Sequence, residues 1–265
     1  MNKNTISRLG PIEARIIARL TYESTTLVSA DDLDNLFKLS AVDRAKVVSR
    51  LKRKNILMPV KRGLYIFSPL QAGPSGRGID EMLIPSLYFP KSNYYIGYST
   101  MFNYYGLTEQ IFQTMYVLNT SFNKQKIICG ISFKFLKVSE SRMYGIKSMK
   151  IKEQDVMISD KERTLIDLLY FNKPVGGLSV ASDILKKNVQ EKQCNVKKLI
   201  SYASRFPNVT IRKRIGVLLE SIGICDADLI PLLKSIKNTA ISSLGKTRKG
   251  TLSKKWRVII DASQG

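Results

Sequence analysis

A cluster of eight Lys and Arg residues, with no acidic residue among them, lies between positions 44 and 62. Its members are Arg44, Lys46, Arg50, Lys52, Arg53, Lys54, Lys61 and Arg62. Guanidinium and ammonium groups can donate hydrogen bonds to phosphate oxygens and to the acceptor edge of guanine. A run of charge can also be no more than a solvated face. The cluster therefore points to recognition of a polyanion, provided that the fold presents it on one surface.

The residues around this cluster predict three short helices. Pro11 suits the first turn of a helix, where the missing N–H is not needed. Ser29 and Ser40 can each cap a further helix with a side-chain oxygen. Asn55 tolerates the left-handed backbone that often ends a helix. Most of the cluster therefore falls on the third predicted helix, which runs from Ser40 to about Lys54.

A tight hairpin is predicted next, with strands at 56–60 and 64–67. Its turn contains Gly63, which can adopt a positive φ at little cost. Three helices followed by a hairpin are typical of a winged helix-turn-helix, and we predict this domain for residues 1–68. In helix-turn-helix proteins the recognition helix enters the major groove of DNA.

The pattern of the third helix indicates which residues face the DNA. At about 100° per residue, Val47, Val48 and Leu51 point to the core. The opposite arc carries Val42, Asp43, Lys46, Ser49, Arg50 and Arg53. Lys61 and Arg62 lie at the hairpin turn, and we expect them to contact phosphate, which adds affinity and salt dependence but no sequence choice.

Within that arc, Lys46 and Arg50 are the strongest candidates for reading bases, because both can donate to guanine in the major groove. Val42 can meet a thymine methyl group. Asp43 has two interpretations: it can accept a hydrogen bond from cytosine, or it can stabilise the start of the helix. We favour the second.

The overall charge favours the same kind of partner. The chain has 43 Lys and Arg residues against 21 Asp and Glu, a formal net charge of +22. Such a surplus is costly in self-repulsion unless a polyanion neutralises it, and nucleic acid is the polyanion that we expect. A generally basic protein without a nucleic-acid partner is the alternative.

Composition also argues against the common enzyme classes. The chain has no His, the usual general base and the commonest metal ligand. Cys129, Cys194 and Cys225 have neither metal-site spacing nor the pattern of a disulfide framework. We therefore predict no catalytic residues, no metal and no cofactor. With no apolar run near the ~18–20 residues that span a bilayer, and no signal core, we expect a cytoplasmic protein. The absence of heptads favours a monomer in solution.

The rest of the chain predicts a second domain. Residues 69–80 have the Gly and Pro content of a linker, and residues 81–265 have a mixed α/β pattern with a helical end, so the expected fold class is α+β. Strands are predicted at 115–119, 126–131, 132–138, 146–150, 156–158 and 256–260. Helices are predicted at 80–89, 99–105, 160–171, 178–188, 195–205, 208–222 and 226–242.

Five segments of this second region occur in a recognisable order. They are YIGYSTM (95–101), YYGL (104–107), VMISDKERTLIDLL (156–169), GGL (176–178) and IRKRIGVLLE (211–220). Together with the N-terminal pattern, this order resembles the AbiEi family of antitoxin-type transcriptional regulators from bacterial toxin–antitoxin and abortive-infection operons. The resemblance covers about residues 5–222.

The resemblance implies two linked roles. The N-terminal domain would repress its own operon by binding repeated promoter sites in double-stranded DNA. The C-terminal domain would counter a nucleotidyltransferase-like toxin without forming a stable complex with it. The candidate antitoxin surface consists of Lys161, Arg163, Arg212, Lys213 and Arg214.

The same segments also have purely structural interpretations. Ser159 and Glu162 have the spacing of a capping box. If Asp167 is buried, it needs a partner such as Arg163 or Arg214. The basic run 212–214 begins a helix, where the dipole disfavours cations, so a nearby anion such as Asp167 or Glu220 is expected.

Two other functions remain open at this stage. A nuclease fused to a DNA-binding module would need a set of metal-binding carboxylates, and the available carboxylates form no such series. A regulator whose C-terminal domain senses a small ligand would need a pocket, for which the sequence has no signature.

Overall fold

The computed structural model describes residues 9–68, 80–151, 154–237, 239–244 and 250–260. The chain divides into two compact units. The first consists of Met1–Pro90 and Lys126–Ser132, and the second of Lys91–Gln125 and Phe133–Gly265. The combination of helices with three sheets is consistent with the predicted α+β class.

The first unit begins with three helices and a hairpin, as predicted. Its elements are α1 (Pro11–Tyr22), β1 (Leu27–Ser29), α2 (Ala30–Phe37), α3 (Ala41–Arg53), β2 (Leu57–Lys61) and β3 (Leu64–Phe67). The strands form a sheet in the order β1-β3-β2. β1 was not predicted, because three residues are too few to show an alternating pattern; β1 pairs antiparallel with β3.

Local interactions explain where these helices begin and end. The Ser29 hydroxyl accepts from the Asp32 N–H at 3.0 Å, and the Ser40 hydroxyl accepts from the Asp43 N–H at 3.1 Å. Asn55 has a φ of 56° just beyond α3, and Gly63 has a φ of 71° in the hairpin turn. All four expectations are confirmed.

The first unit extends past residue 68. It includes a 3₁₀ turn (Glu81–Leu83) and α4 (Ile84–Tyr88). The Tyr88 hydroxyl donates to the Val60 carbonyl, so α4 is bonded to β2. By contacts, the first compact unit reaches Pro90, whereas the sequence predicted a domain boundary at 81. Most of the predicted linker, 69–79, lies outside the described residues.

A six-stranded sheet has the order β6-β7-β5-β4-β9-β8. Its strands are β4 (Tyr94–Gly97), β5 (Thr114–Asn119), β6 (Lys124–Ile128), β7 (Ile131–Lys137), β8 (Ile146–Ile151) and β9 (Gln154–Ser159). β4 pairs antiparallel with β5 and parallel with β9. β4 was missed as a strand because all four of its residues are buried and show no alternation.

Helices supply most of the remaining core of the second unit. They are α5 (Ser99–Tyr104), α6 (Lys161–Tyr170), α7 (Leu178–Gln190), α8 (Val196–Arg205), α9 (Val209–Ser221) and α10 (Asp226–Ser235). The α6 cap differs from the prediction: the Asp160 carboxylate, not the Ser159 hydroxyl, accepts from the first turn, at the Arg163 N–H.

The last helix is shorter than predicted. α10 ends at Ser235 rather than near 242, and a small sheet in the order β10-β12-β11 follows. Its strands are β10 (Ser242–Ser243), β11 (Thr251–Ser253) and β12 (Val258–Ile260). β10 pairs parallel with β12, a contact between distant residues that a local pattern cannot reveal. Among the described residues no helix is both long and apolar enough to cross a bilayer.

Candidate nucleic-acid interface

The exposed face of α3 matches the face predicted from the sequence. Val47, Val48 and Leu51 are buried against α1 and α2 in the core of the first unit. The six residues of the opposite arc are all exposed; they are Val42, Asp43, Lys46, Ser49, Arg50 and Arg53. The orientation of the helix is therefore confirmed, and the contacts of these residues with DNA remain a prediction.

Asp43 takes part in the cap at the start of α3. The Ser40 hydroxyl donates to the Asp43 carboxylate at 2.7 Å, while the Asp43 N–H donates back to Ser40. This reciprocal bonding matches the structural interpretation that the sequence favoured.

Arg44 does not belong to the exposed face. Its guanidinium pairs with the Asp34 carboxylate on α2, and its side chain is only 27% exposed. The pairing joins α2 to α3 and neutralises this charge, so the cations available to a partner on α3 are those farther along the helix.

Glu13 on α1 is a buried carboxylate that faces the carboxyl-terminal half of α3. It accepts from the Lys54 ammonium at 2.6 Å and lies 3.5 Å from the Arg50 guanidinium. Burial alone would raise the pKa of Glu13, but the hydrogen bonds from Lys54 and from the Gly10 N–H outweigh it and lower the pKa. Arg50 remains 54% exposed and keeps most of its surface free for a partner.

This lowered pKa predicts a pH-dependent stability. The Glu13 carboxylate stabilises the fold above its ordinary pKa of 4.5, and that contribution is lost as the pH falls through the lower, folded-state value. Glu13→Gln should cost about 1.5–3 kcal/mol at neutral pH, the range for hydrogen bonds to charged groups. Urea unfolding followed by far-ultraviolet circular dichroism, at neutral pH and near pH 3, measures both effects.

Glu23→Gln is the matched control, because Glu23, directly after the end of α1, forms an exposed pair with Arg19. Such pairs contribute about 0–1 kcal/mol. The interpretation of Glu13 fails if Glu13→Gln loses as much stability on acidification as the parent protein.

The hairpin turn presents one cation more freely than the other. Lys61 and Arg62 are both exposed. The Lys61 ammonium donates to the Leu87 carbonyl at 2.5 Å, whereas Arg62 has no hydrogen bond or ion pair with the described residues. A phosphate contact by Lys61 would have to replace its bond to α4, so Arg62 is the better placed of the pair.

The proposed antitoxin surface is contradicted for two of its residues. Arg163 is fully buried and Lys213 is 1% exposed, so neither can lie on a surface. Lys161 is half-buried and donates to the Gln193 amide oxygen at 3.2 Å. The sequence pattern did not reveal this burial, because cations are rarely buried unless they are paired.

Arg163 forms the central ion pair of the second unit. It donates to both oxygens of Asp167, at 3.1 and 3.3 Å. It also donates to the Tyr95 hydroxyl at 2.8 Å and to the carbonyls of Arg142 and Tyr144 at 2.7 and 3.1 Å. Burial opposes its charge, but Asp167 more than compensates and raises the pKa of Arg163. Arg163 is therefore confirmed as a partner of Asp167. The other expected partner, Arg214, donates instead to the Ser243 carbonyl.

The basic run 212–214 binds backbone carbonyls instead of the expected anion. Arg212 donates to the carbonyls of Phe206 and Ser235, Lys213 to that of Ala240, and Arg214 to that of Ser243. The three side chains therefore attach the end of α10 and strand β10 to α9. Their role in the described part of the chain is structural, and the expected pairing with Asp167 or Glu220 is wrong.

The candidates for metal or thiol chemistry are weak. Within the described ranges no group of three Cys, Asp or Glu residues could hold a metal ion. The three cysteines are free, and burial raises the pKa of the Cys129 thiol to about 11, which disfavours the reactive thiolate.

Comparison with known proteins adds information on the fold. No family model matches the chain, and no curated protein matches it. Among solved structures, the chain is similar to the crystal structure of the RV2827C protein from Mycobacterium tuberculosis, with a TM-score of 0.63 and 11% sequence identity. The alignment covers 96% of this chain and 92% of that chain. At this identity the likeness establishes a shared fold and nothing about activity.

Proposed function

We propose that the first unit is a winged helix-turn-helix that binds double-stranded DNA. In this proposal α3 enters the major groove, and the hairpin of β2 and β3 is the wing that lies along the phosphate backbone. The observation that carries it is the exposed arc of α3, where Lys46, Arg50 and Arg53 lie opposite a fully buried apolar face.

The distribution of charge supports the same function. The arc carries three cations. Its one acidic residue is Asp43, which takes part in the cap of α3. Arg62 extends this charge to the wing tip. Exposed cations of this kind release counterions from DNA when they neutralise phosphates, which makes binding favourable and dependent on salt.

Two pairs of substitutions separate base reading from phosphate binding. Lys46→Ala/Arg50→Ala should lower affinity for the preferred duplex about 10- to 100-fold and reduce the preference over a scrambled duplex, because base contacts specify sequence. Lys61→Ala/Arg62→Ala should weaken binding to both duplexes alike and reduce the salt dependence. Fluorescence anisotropy at two salt concentrations measures both quantities.

The matched control is Lys187→Ala/Lys197→Ala, which removes the same charge from exposed positions on α7 and α8. It should leave sequence preference unchanged. If the control variant and the α3 variant behave identically, net charge alone accounts for binding and α3 is not the reader.

We further propose that the protein is an autorepressor and antitoxin of the AbiEi type. The support is the ordered series of five segments in the second unit together with the N-terminal helices and hairpin. Co-expression with the toxin encoded beside its gene should restore growth, and a reporter driven by its own promoter should be repressed. Failure of rescue with intact repression would remove the antitoxin role and leave the DNA-binding role standing.

A further inference from the structure

A small cleft opens in the second unit beside the central ion pair. It has a volume of about 260 Å³ and is lined by Arg142, Tyr170, Phe206, Pro207 and Asn208. Among the residues that the structure describes, no carboxylate lines it. A cleft of this size, slightly smaller than the ~300 Å³ at which the usual range for ligand pockets begins, suits a small molecule.

Arg142 is the one charged residue that the described part of the chain contributes to the lining, and its hydrogen-bonding capacity is only partly used. Its Nη2 donates to the Tyr98 hydroxyl at 2.9 Å and lies 3.5 Å from the Asp167 carboxylate. Its Nε is buried without a hydrogen-bond partner in the described part of the chain. The guanidinium lies over the rings of Tyr170 and Phe206, 4.8 and 5.3 Å from their centroids. The guanidinium thus lies between aromatic rings, and its Nε donor is left unsatisfied among the described residues.

Arg142 and Arg163 share the carboxylate of Asp167. Asp167 is committed to Arg163 by two hydrogen bonds, whereas its contact with Arg142 is the longest of the set, at 3.5 Å. Two guanidinium groups thus share one carboxylate, and Tyr98 and Asp167 together outweigh the effect of burial and raise the pKa of Arg142. Arg142 therefore stays charged beside the cleft, and an anion in the cleft would find a cation whose only carboxylate partner among the described residues is shared with Arg163.

Asn208, which also lines the cleft, adds a donor. Asn208 caps α9, a helix of 13 residues, and its side-chain oxygen accepts from the Ile211 N–H at 3.1 Å. The amide nitrogen of Asn208 has no hydrogen bond to a described residue. The amino end of a helix carries partial positive charge, which complements that of Arg142. The Arg212 guanidinium donates to the Phe206 carbonyl at 2.5 Å. This hydrogen bond helps to fix the backbone just before Asn208.

We propose that this cleft binds a phosphate group, either free phosphate or the phosphate of a small molecule, between Arg142 and the amino end of α9. The site is separate from the proposed DNA interface, which lies in the first unit, and it does not depend on that proposal. It gives the second unit a ligand-binding function that the sequence pattern did not reveal.

Isothermal titration calorimetry of the full chain tests the site, with inorganic phosphate as one probe and adenosine monophosphate as the other, at constant ionic strength. Arg142→Met should weaken phosphate binding about tenfold or more, since it removes the charged donors. Arg205→Met is the matched control, because Arg205 stacks on Tyr144 at 4.0 Å in the same unit but does not line the cleft.

A second variant keeps the test valid if Arg142→Met does not fold. Asn208→Asp retains a good helix cap but places a carboxylate at the cleft, so it should weaken phosphate binding without unfolding the protein. Lys46→Ala/Arg50→Ala should leave phosphate binding unchanged, which separates this site from the proposed DNA interface.

Each outcome decides the proposal. Tighter binding of adenosine monophosphate than of phosphate, lost in Arg142→Met, supports the site and identifies a phosphorylated small molecule as its ligand. Tighter binding of phosphate than of adenosine monophosphate, lost in the same variant, supports the site and identifies free phosphate. The proposal is overturned if the parent protein shows no saturable binding, or if Arg142→Met and Asn208→Asp bind as tightly as the parent.

Discussion

Asp167→Asn should lower the free energy of unfolding of the second unit by about 3–5 kcal/mol, the cost of removing one partner from a buried ion pair. Asp167 and Arg163 are both fully buried, and Asp167 supplies the only carboxylate that bonds to Arg163 among the described residues. The asparagine side chain has the same shape but no charge. The Arg163 guanidinium would therefore stay buried with its charge uncompensated.

The measurement is urea unfolding followed by tryptophan fluorescence, because the single Trp, Trp256, belongs to the second unit. Asp183→Asn, at an exposed position on α7, is the matched control and should cost less than about 0.5 kcal/mol. Combining Asp167→Asn with Arg163→Met should recover part of the loss, since the orphaned charge is then removed as well. A cost below about 1 kcal/mol for Asp167→Asn would contradict the role of this pair.

Trp256→Ala should destabilise the second unit by about 3–5 kcal/mol, as for other large buried side chains. Trp256 is fully buried, and its indole N–H donates to the Glu220 carboxylate at 2.7 Å. Its ring lies directly against Gly216 of α9, so closely that a Cβ at position 216 would overlap the ring. Packing of the C-terminal segment on α9 therefore depends on this pair.

The contact between Trp256 and Gly216 predicts that the effect of Gly216→Ala on the free energy of unfolding changes sign when Trp256 is replaced by Ala. Gly216→Ala in the parent protein should cost about 1–3 kcal/mol through overpacking. In the Trp256→Ala background the ring is absent, and the same substitution should stabilise by about 0.5–1 kcal/mol because Ala favours a helix over Gly. Far-ultraviolet circular dichroism during urea unfolding measures all four proteins. Equal effects of Gly216→Ala in both backgrounds would show that the two residues are not coupled.

The face of α3 could be predicted from sequence because it depends on local periodicity. Val47, Val48 and Leu51 recur at helical spacing, and their burial fixes the direction of every other side chain on the helix. The caps at Ser29 and Ser40 are also local, since each donor lies three residues from its acceptor. These features need no knowledge of the rest of the chain.

The buried cations could not be predicted in the same way. Arg163 is satisfied by Tyr95, which is 68 residues away in sequence, and by carbonyls that precede β8. Lys213 depends on the carbonyl of Ala240. Because the partners are distant and mostly backbone atoms, the residue types near 163 and 213 suggested an exposed basic surface. Arg142 was missed for the same reason, since its surroundings come from α6 and from the segment between α8 and α9.

The boundary between the units could not be predicted from local sequence either. The composition of 69–80 suggested that the second domain begins directly after it, yet α4 bonds to β2 through Tyr88 and Val60. The short strands β1 and β10 exist because of pairing with β3 and β12. Each depends on an interaction across the chain that is absent from its own sequence.

The most direct test of the central claim is titration of the full chain against a labelled duplex from upstream of its own gene, beside a scrambled duplex of equal length and composition. The account predicts that the native duplex is preferred by at least ~10³-fold, as in specific recognition of DNA. Equal affinity for the two duplexes would contradict it, because α3 would then not be reading bases and the charge of +22 would serve another polyanion.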